Sequence, residues 1–201
     1  MLEVEGFILV GGASSRMGTE KARLSLGGRN FVERIQAALR SVAGRTSVVG
    51  VKEGTTDWPS LPAVPDIHVK WGALGGLHAA LFACRAEWAA VVACDLPFVT
   101  GELFVQLASL RENFDAVIPV QADGWRQPLC AFYRARVACE RAAELIAAGE
   151  RRPRALLNSL RTREVAFDEL RHLPGADRFF ININTPEDYM HAVKEEGRDE
   201  G

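Results

Sequence analysis

The stretch Leu9–Ala22, "LVGGASSRMGTEKA", decides how the rest of the chain is read. An apolar run, "GFILV" over residues 6–10, stops at two glycines; two serines, an arginine, a third glycine and a lysine follow. A short buried run of that kind predicts an inner strand. Glycines directly after it let a backbone come close to a ligand, and successive N–H groups in such a turn cradle anionic oxygens. Arg16 offers a planar fork for phosphate and Lys21 a mobile point charge. The stretch therefore reads as a polyphosphate-binding loop at the carboxyl end of a strand. It is not a Walker A loop, because no Gly-Lys-Ser/Thr ends it, and it is not a G-x-G-x-x-G fingerprint. Taken alone it also fits an ordinary glycine turn with solvated basic residues.

Outward from this stretch, apolar runs of strand length alternate with helical patterns. Strands are expected at 46–51, 88–95, in "DAVIPV", in "PLCAFY" and at 179–184, and helices at 31–43, 73–85, 100–113, 136–150 and 185–196. Thr100 is a candidate N-cap, and "TPED" at 185–188 combines a cap residue, a proline at the first helical position and two acids in the first turn. The alternation predicts an α/β fold of the three-layer, Rossmann-like kind with a mostly parallel sheet. Ligands in such folds bind beyond the carboxyl ends of the strands, which makes residues 9–21, Asp66 and Asp95 neighbours in one crevice. The 201 residues fit one domain over 1–196, followed by a charged tail expected to fray.

Composition narrows the partners. A net charge of −2 argues against a main role on nucleic acid or an anionic membrane. No apolar run approaches the roughly 18 residues of a transmembrane helix. The N-terminus is acidic ahead of its apolar run, where a secretory signal would be basic, so a cytosolic protein is expected. Cys84, Cys94, Cys130 and Cys139 sit among apolar residues with no C-x-x-C spacing and read as buried free thiols. The four histidines lack zinc-ligand spacing.

Four further features carry candidate chemistry. Asp95, in "VVACDLPF", is a carboxylate at a strand's carboxyl end; Mg²⁺ commonly takes one or two carboxylates plus substrate phosphates and water. Asp66, in "VPDIHVKWGALGGL", follows another short strand and could accept from a ribose hydroxyl or a base N–H; a surface turn aspartate is the equal alternative. In "GERRPRALL" (149–157), Arg151, Arg152 and Arg154 surround a proline that opens a helix, which suits either an anion or a solvated basic turn. In "FININTPED", Asn182 and Asn184 alternate, so on a strand both amides face one side.

Together the motifs resemble molybdenum cofactor guanylyltransferases, the family that makes molybdopterin guanine dinucleotide. The resemblance rests on "LVGGASSRMGTEKA", "PDIHVKWGALGGL", "CDLPF", "QPLCAFY", "GERRP" and "NINTPED", in the family's order and over nearly the whole chain. It implies GMP transfer from GTP to the terminal phosphate of molybdopterin, with Mg²⁺ and with pyrophosphate leaving. It also implies cofactor-delivery proteins and client molybdoenzymes as further partners. By resemblance, the main chain at Leu9, Val10 and Gly11, with Gly12, holds the nucleotide. Lys21 serves the phosphates, as Arg16 does on its own chemistry, Asp66 binds the nucleotide and Asp95 the metal, and Arg151, Arg152, Asn182 and Asn184 lie near the pterin. The chain departs from the family at Val10 (usually alanine), at Glu20 (commonly aspartate), in "GALGG", and at Gly50, where an asparagine can contact the nucleotide. Gly12 favours guanine over cytosine by the same analogy. The alternatives are a nucleotidyltransferase of the same fold using CTP or a sugar phosphate, and a non-catalytic nucleotide-binding protein.

Overall fold

The computed structural model describes residues 3–11, 21–51, 58 and 60–199. The opening strand β1 (Val4–Leu9) is buried along almost its whole length. It pairs in parallel with β4 (Arg45–Val49) on one side and β6 (Trp88–Ala93) on the other. The chain also forms a small hairpin of β2 (Ser25–Leu26) and β3 (Arg29–Asn30). The remaining strands are β5 (Ala63–Val64), β7 (Ala116–Pro119), β8 (Cys130–Arg134) and β9 (Thr162–Val165). The main sheet has seven strands in the order β5-β4-β1-β6-β8-β7-β9. Only β8 runs against its neighbours, β6 and β7; all other pairs are parallel. This is the mostly parallel sheet expected from the alternating pattern.

Period-2 alternation divides the core into two layers, one on each face of the sheet. Ile8, Trp88, Ala90, Val92, Cys130 and Phe132 point to one face. There they meet helices α1 (Phe31–Leu39) and α3 (Gly101–Ser109) through Val32, Ile35, Leu103, Phe104 and Leu107. Phe7, Leu9, Ala89, Val91, Ala131 and Tyr133 point to the other face. They pack on α2 (Gly72–Ala83), α4 (Ala135–Ala147) and the short α5 (Pro153–Asn158). A turn of helix α6 (Phe167–Leu170) and a final helix α7 (Pro186–Asp199) follow.

Helix starts follow their side chains. Asn30 accepts from the Glu33 N–H at 2.9 Å and Glu33 accepts from the Asn30 N–H at 2.9 Å, a reciprocal cap on α1. Thr100 caps α3 as expected, accepting from the Leu103 N–H. Before α7 the Asp188 carboxylate accepts from the N–H groups of Asn184 and Thr185, both at 2.8 Å, and Thr185 Oγ1 accepts from the Asp188 N–H.

One expected strand does not form. Residues 179–184 run as a turn and an irregular segment. The alternation survives only around Ile183, which is buried while Asn182 and Asn184 are exposed; Ile181, on the same parity, is exposed. The segment has no ladder partner among the described residues; its bond to the sheet region is the Ile183 N–H on the Asp95 carbonyl at 3.0 Å. Alternation reports which residues are buried, and a strand needs a neighbouring backbone as well.

Candidate active site

Four parallel strands, β5, β4, β1 and β6, end along one edge, and each is followed by a residue singled out in the sequence. Gly11 follows β1, Gly50 follows β4, Asp66 follows β5 and Asp95 follows β6. The chain order reverses between β4 and β6, so the crevice at β1 is the topological switch point where α/β sheets bind ligands.

Gly11 and Gly50 touch backbone to backbone. A Cβ on Gly11 would lie 2.7 Å from the Gly50 carbonyl oxygen, and one on Gly50 would lie 2.8 Å from Gly11 Cα. Gly50 also has φ +85°, a left-handed conformation. The family's asparagine has no room here unless the Gly11 turn moves. The sheet already uses the Leu9 carbonyl, which accepts from the Cys94 N–H at 3.0 Å, and the Val10 N–H, which donates to the Val49 carbonyl at 2.9 Å. The part of the loop free to turn toward a ligand thus begins at Gly11. Gly12 and Arg16 lie outside the described residues.

Asp66 points its Oδ1 into this glycine-lined corner, 3.7 Å from where a Cβ on Gly50 would sit and 4.0 Å from one on Gly76. That oxygen is buried and accepts no hydrogen bond among the described residues. Burial pushes the carboxyl's pKa upward. A ligand hydroxyl or N–H is the chemistry that would satisfy it.

On the other side of β1, Lys21 is 6% exposed, and its Nζ donates to Asn184 Oδ1 at 2.9 Å. Burial raises the pKa of the Asp95 carboxyl, and the Lys21 ammonium works in the opposite direction. Residues 163 positions apart are thereby joined.

A cleft of about 450 Å³ opens beyond Asp95. Its walls include Asp95, Trp125, Gln127, Arg152, Arg154 and Asn182. Two of the four residues expected near the pterin, Arg152 and Asn182, are therefore in the same cleft as Asp95. Arg152 reaches Glu150 through Nε (2.9 Å) and Nη2 (2.8 Å), and these bonds hold the Glu150 carboxyl down to about 2. Arg151 turns elsewhere: its guanidinium lies 4.6 Å from the centre of the Trp71 ring, whose Nε1 donates to the Glu150 carbonyl at 3.1 Å. Asn184 is engaged with Lys21 rather than lining the cleft. Trp125 and Gln127 line the cleft and Trp71 packs on Arg151, and none was singled out from the sequence, although Trp71 and Gln127 fall within the quoted motifs "PDIHVKWGALGGL" and "QPLCAFY".

A second cavity of about 480 Å³, lined by Arg34, Phe98 and Arg178 among others, contains none of the expected site residues. Arg34 there bonds the Pro97 and Leu26 carbonyls and pairs with Glu196 at 2.6 Å, which makes it a structural tie. The four cysteines are free, and burial pushes the thiols of Cys84, Cys94 and Cys130 up to about 12, so they are inert. No helix among the described residues is long and apolar enough to cross a membrane.

Comparison with known proteins places this crevice in a class. A 2-C-methyl-D-erythritol 4-phosphate cytidylyltransferase from Thermus thermophilus has the same fold, with TM-score 0.67 at 16% identity over 94% of this chain and 96% of that one. Residues 6–165 match the family described as the MobA-like NTP transferase domain. The protein is thus a nucleotidyltransferase of the α/β kind. More narrowly, the chain belongs to the MobA-like family. It is 34% identical to a Bacillus cereus (strain Q1) protein named "Probable molybdenum cofactor guanylyltransferase", over 94% of this chain and 96% of the relative. A Pelotomaculum thermopropionicum protein of the same name is also 34% identical, over 96% and 93% of the two chains. The structure of molybdopterin-guanine dinucleotide biosynthesis protein A from Archaeoglobus fulgidus superposes with TM-score 0.78 at 28% identity, covering 96% of this chain and 99% of that one.

Proposed function

We propose that this chain transfers GMP from GTP to the terminal phosphate of molybdopterin, giving molybdopterin guanine dinucleotide and pyrophosphate. A phosphate oxygen of the acceptor attacks the α-phosphorus, the bond to the β-phosphate bridging oxygen breaks, and pyrophosphate carries the electron pair away. No nucleophile on the protein is required. What the protein must supply is positioning and neutralisation of charge. The observation that carries this reading is the placement of Asp95 between the glycine-lined corner of Gly11, Gly50 and Asp66 and the cleft of Arg152 and Asn182.

In this reading the donor lies along the ends of β5, β4 and β1. Main-chain groups of Leu9, Val10, Gly11 and Gly12 that the sheet leaves over hold its phosphates, Arg16 and Lys21 add charge, and Asp66 takes a hydroxyl or N–H of the nucleoside. Arg152 and Asn182 receive the acceptor; Arg151 and Asn184 support them from Trp71 and Lys21. A half-buried carboxylate at the end of β6, on the wall of the cleft, suits a cation that arrives with the nucleotide's phosphates, so the residues present fit Mg²⁺ at Asp95. When bound, the ion neutralises charge on the phosphates and leaving pyrophosphate. The substrates are cytosolic metabolites in this reading, and delivery proteins and molybdoenzymes would receive the product.

The test is to offer GTP, CTP, ATP and UTP separately with Mg²⁺ and molybdopterin and to identify the dinucleotide by mass. The guanine product should dominate, because a site that hydrogen-bonds its base discriminates strongly against one that leaves polar groups unpaired. Equal turnover with CTP would overturn the donor assignment.

A further inference from the structure

An indole that is 54% exposed, that of Trp125, stands on the wall of the cleft shared by Asp95, Arg152 and Asn182. The loop beneath it is held firmly. The Gln121 N–H donates to the Trp125 carbonyl at 2.9 Å, and the Trp125 N–H donates to Asp123 Oδ1 at 2.9 Å. The next residue, Arg126, donates to Asn158 Oδ1 at 2.7 Å and to Glu164 Oε1 at 3.0 Å, tying the loop to α5 and β9. A large apolar ring is thus kept in water on a fixed support, where it contributes nothing to either core layer.

The ring already carries one planar neighbour. The Arg154 guanidinium, from the first turn of α5, lies 3.5 Å from the ring centre. Arg154 lines the same cleft and has no carboxylate partner within ion-pair distance among the described residues. The pair therefore offers a π face and a cationic plane together, and the amides of Gln127 and Asn182 border the same space. That combination suits a flat, polar, fused heterocycle: stacking on the faces and hydrogen bonds at the edge. The volume, about 450 Å³, is that of a small-molecule site.

Sheet order indicates which heterocycle this is. The glycine corner with Asp66 lies at the ends of β1, β4 and β5. The Trp125 loop joins β7 to β8, on the far side of β6 and Asp95. The two regions flank the reacting centre from opposite sides, so the platform is on the acceptor side.

We infer that Trp125 and Arg154 form a stacking platform for the fused ring system of the acceptor, with its phosphate directed toward Asp95. This rests on the function proposed above, in which the acceptor is molybdopterin. The experiment measures KM for molybdopterin and for GTP separately in the wild type, Trp125→Leu, Trp125→Phe and Arg154→Gln. Loss of one aromatic stacking partner should raise the molybdopterin KM of Trp125→Leu on the order of tenfold. The GTP KM should stay unchanged, and Trp125→Phe should recover most of the loss. Arg154→Gln, planar but uncharged, should raise the molybdopterin KM by less. Molybdopterin should also quench a component of tryptophan fluorescence in the wild type that Trp125→Phe lacks. An unchanged molybdopterin KM in Trp125→Leu, or an equal rise in both KM values, would overturn the platform while leaving the reaction in place. A folded wild type that joins no nucleotide to molybdopterin would overturn the function and the platform together.

Discussion

Gly50 is where the fold and the site constrain each other most closely, and Gly50→Ala measures how much. The new methyl group would meet Gly11 Cα at 2.8 Å and Gly11 N at 2.9 Å, and the backbone would have to hold φ +85°. A left-handed conformation costs an L-residue roughly 1–2 kcal/mol. Forcing a methyl against packed backbone costs about 1–3 kcal/mol more. Restricting the unfolded chain returns about 0.4–1 kcal/mol. The net loss is about 2–4 kcal/mol, which for a chain of this length lowers Tm by roughly 10 °C. Gly28→Ala separates the two causes, because Gly28 has φ +74° but nothing within 4 Å of its would-be Cβ. It should lose only about 1 kcal/mol.

The assay is thermal unfolding of both variants beside the wild type, followed by GTP titration. Gly50→Ala should melt well below Gly28→Ala. It should also bind GTP more weakly, since the relaxation available to it is to push Gly11 out of place. Gly50→Asn tolerates the dihedral better but carries the same Cβ, so it should resemble Gly50→Ala. If Gly50→Ala melts with Gly28→Ala and binds GTP normally, the close approach of the two turns has no energetic meaning.

Four other outcomes are expected. Asp95→Asn keeps the side-chain shape but removes the charge, so turnover should fall on the order of a hundredfold with the fold intact and recover in part at high Mg²⁺; near-normal turnover at every Mg²⁺ concentration refutes the metal role. Asn184→Ala removes a hydrogen bond to a charged group worth about 1.5–3 kcal/mol, and a double-mutant cycle with Lys21→Met on kcat/KM should show coupling; additive effects would make the bond idle. Arg152→Ala should raise the molybdopterin KM more than Arg151→Ala does, because only Arg152 lines the cleft, with GTP binding measured separately and expected to hold; the reverse order would put the wrong arginine on the acceptor. Asp115 accepts hydrogen bonds from Arg161, which hold its carboxyl below the usual value of 3.8. Its stabilisation is therefore complete above that value and disappears as pH falls through the lowered one. Asp115→Asn should lower Tm at neutral pH, and the gap should close as pH falls below 3.8 and through the lowered value; a constant gap would assign the effect to packing.

The inner strands of the sheet were legible because both their faces are buried, which leaves continuous apolar runs such as "GFILV" and "WAAVVA", whereas β9, partly exposed at the sheet edge, was not among the expected strands. Helix starts at Thr100 and Thr185 were legible because capping is local chemistry. Asp66 and Asp95 could both be placed at the carboxyl edge of the sheet because parallel strands end on one edge, although the cleft beyond Asp95 does not include Asp66. What could not be read was contact between segments. Nothing near Gly50 announces that Gly11 will lie against it, and neither Trp71 nor Trp125 differs in sequence from a core tryptophan. Trp88 is one, fully buried, while Trp125 is half exposed. The irregular course of 179–184 escaped for the same reason, since its pattern is that of a strand and only the missing partner distinguishes it.

That segment also explains how a site can depend on residues beyond the 6–165 that define the family match. Three consecutive residues go to three places. Asn182 borders the cleft, Ile183 is buried with Leu26, Phe31 and Phe98, and Asn184 receives the Lys21 ammonium. Between them the Ile183 N–H fastens to the carbonyl of Asp95. Joining two phosphates requires that charge on the donor and charge on the acceptor be neutralised in one geometry. Here Lys21, in a helical turn, donates to the Asn184 side chain, and the Asp95 carbonyl at the end of β6 accepts from the Ile183 N–H, so one short stretch of chain touches both. An edge strand in that position would have directed its hydrogen bonds along the sheet, whereas a segment free of the ladder gives its N–H to the Asp95 carbonyl, one amide to the cleft and the other to Lys21.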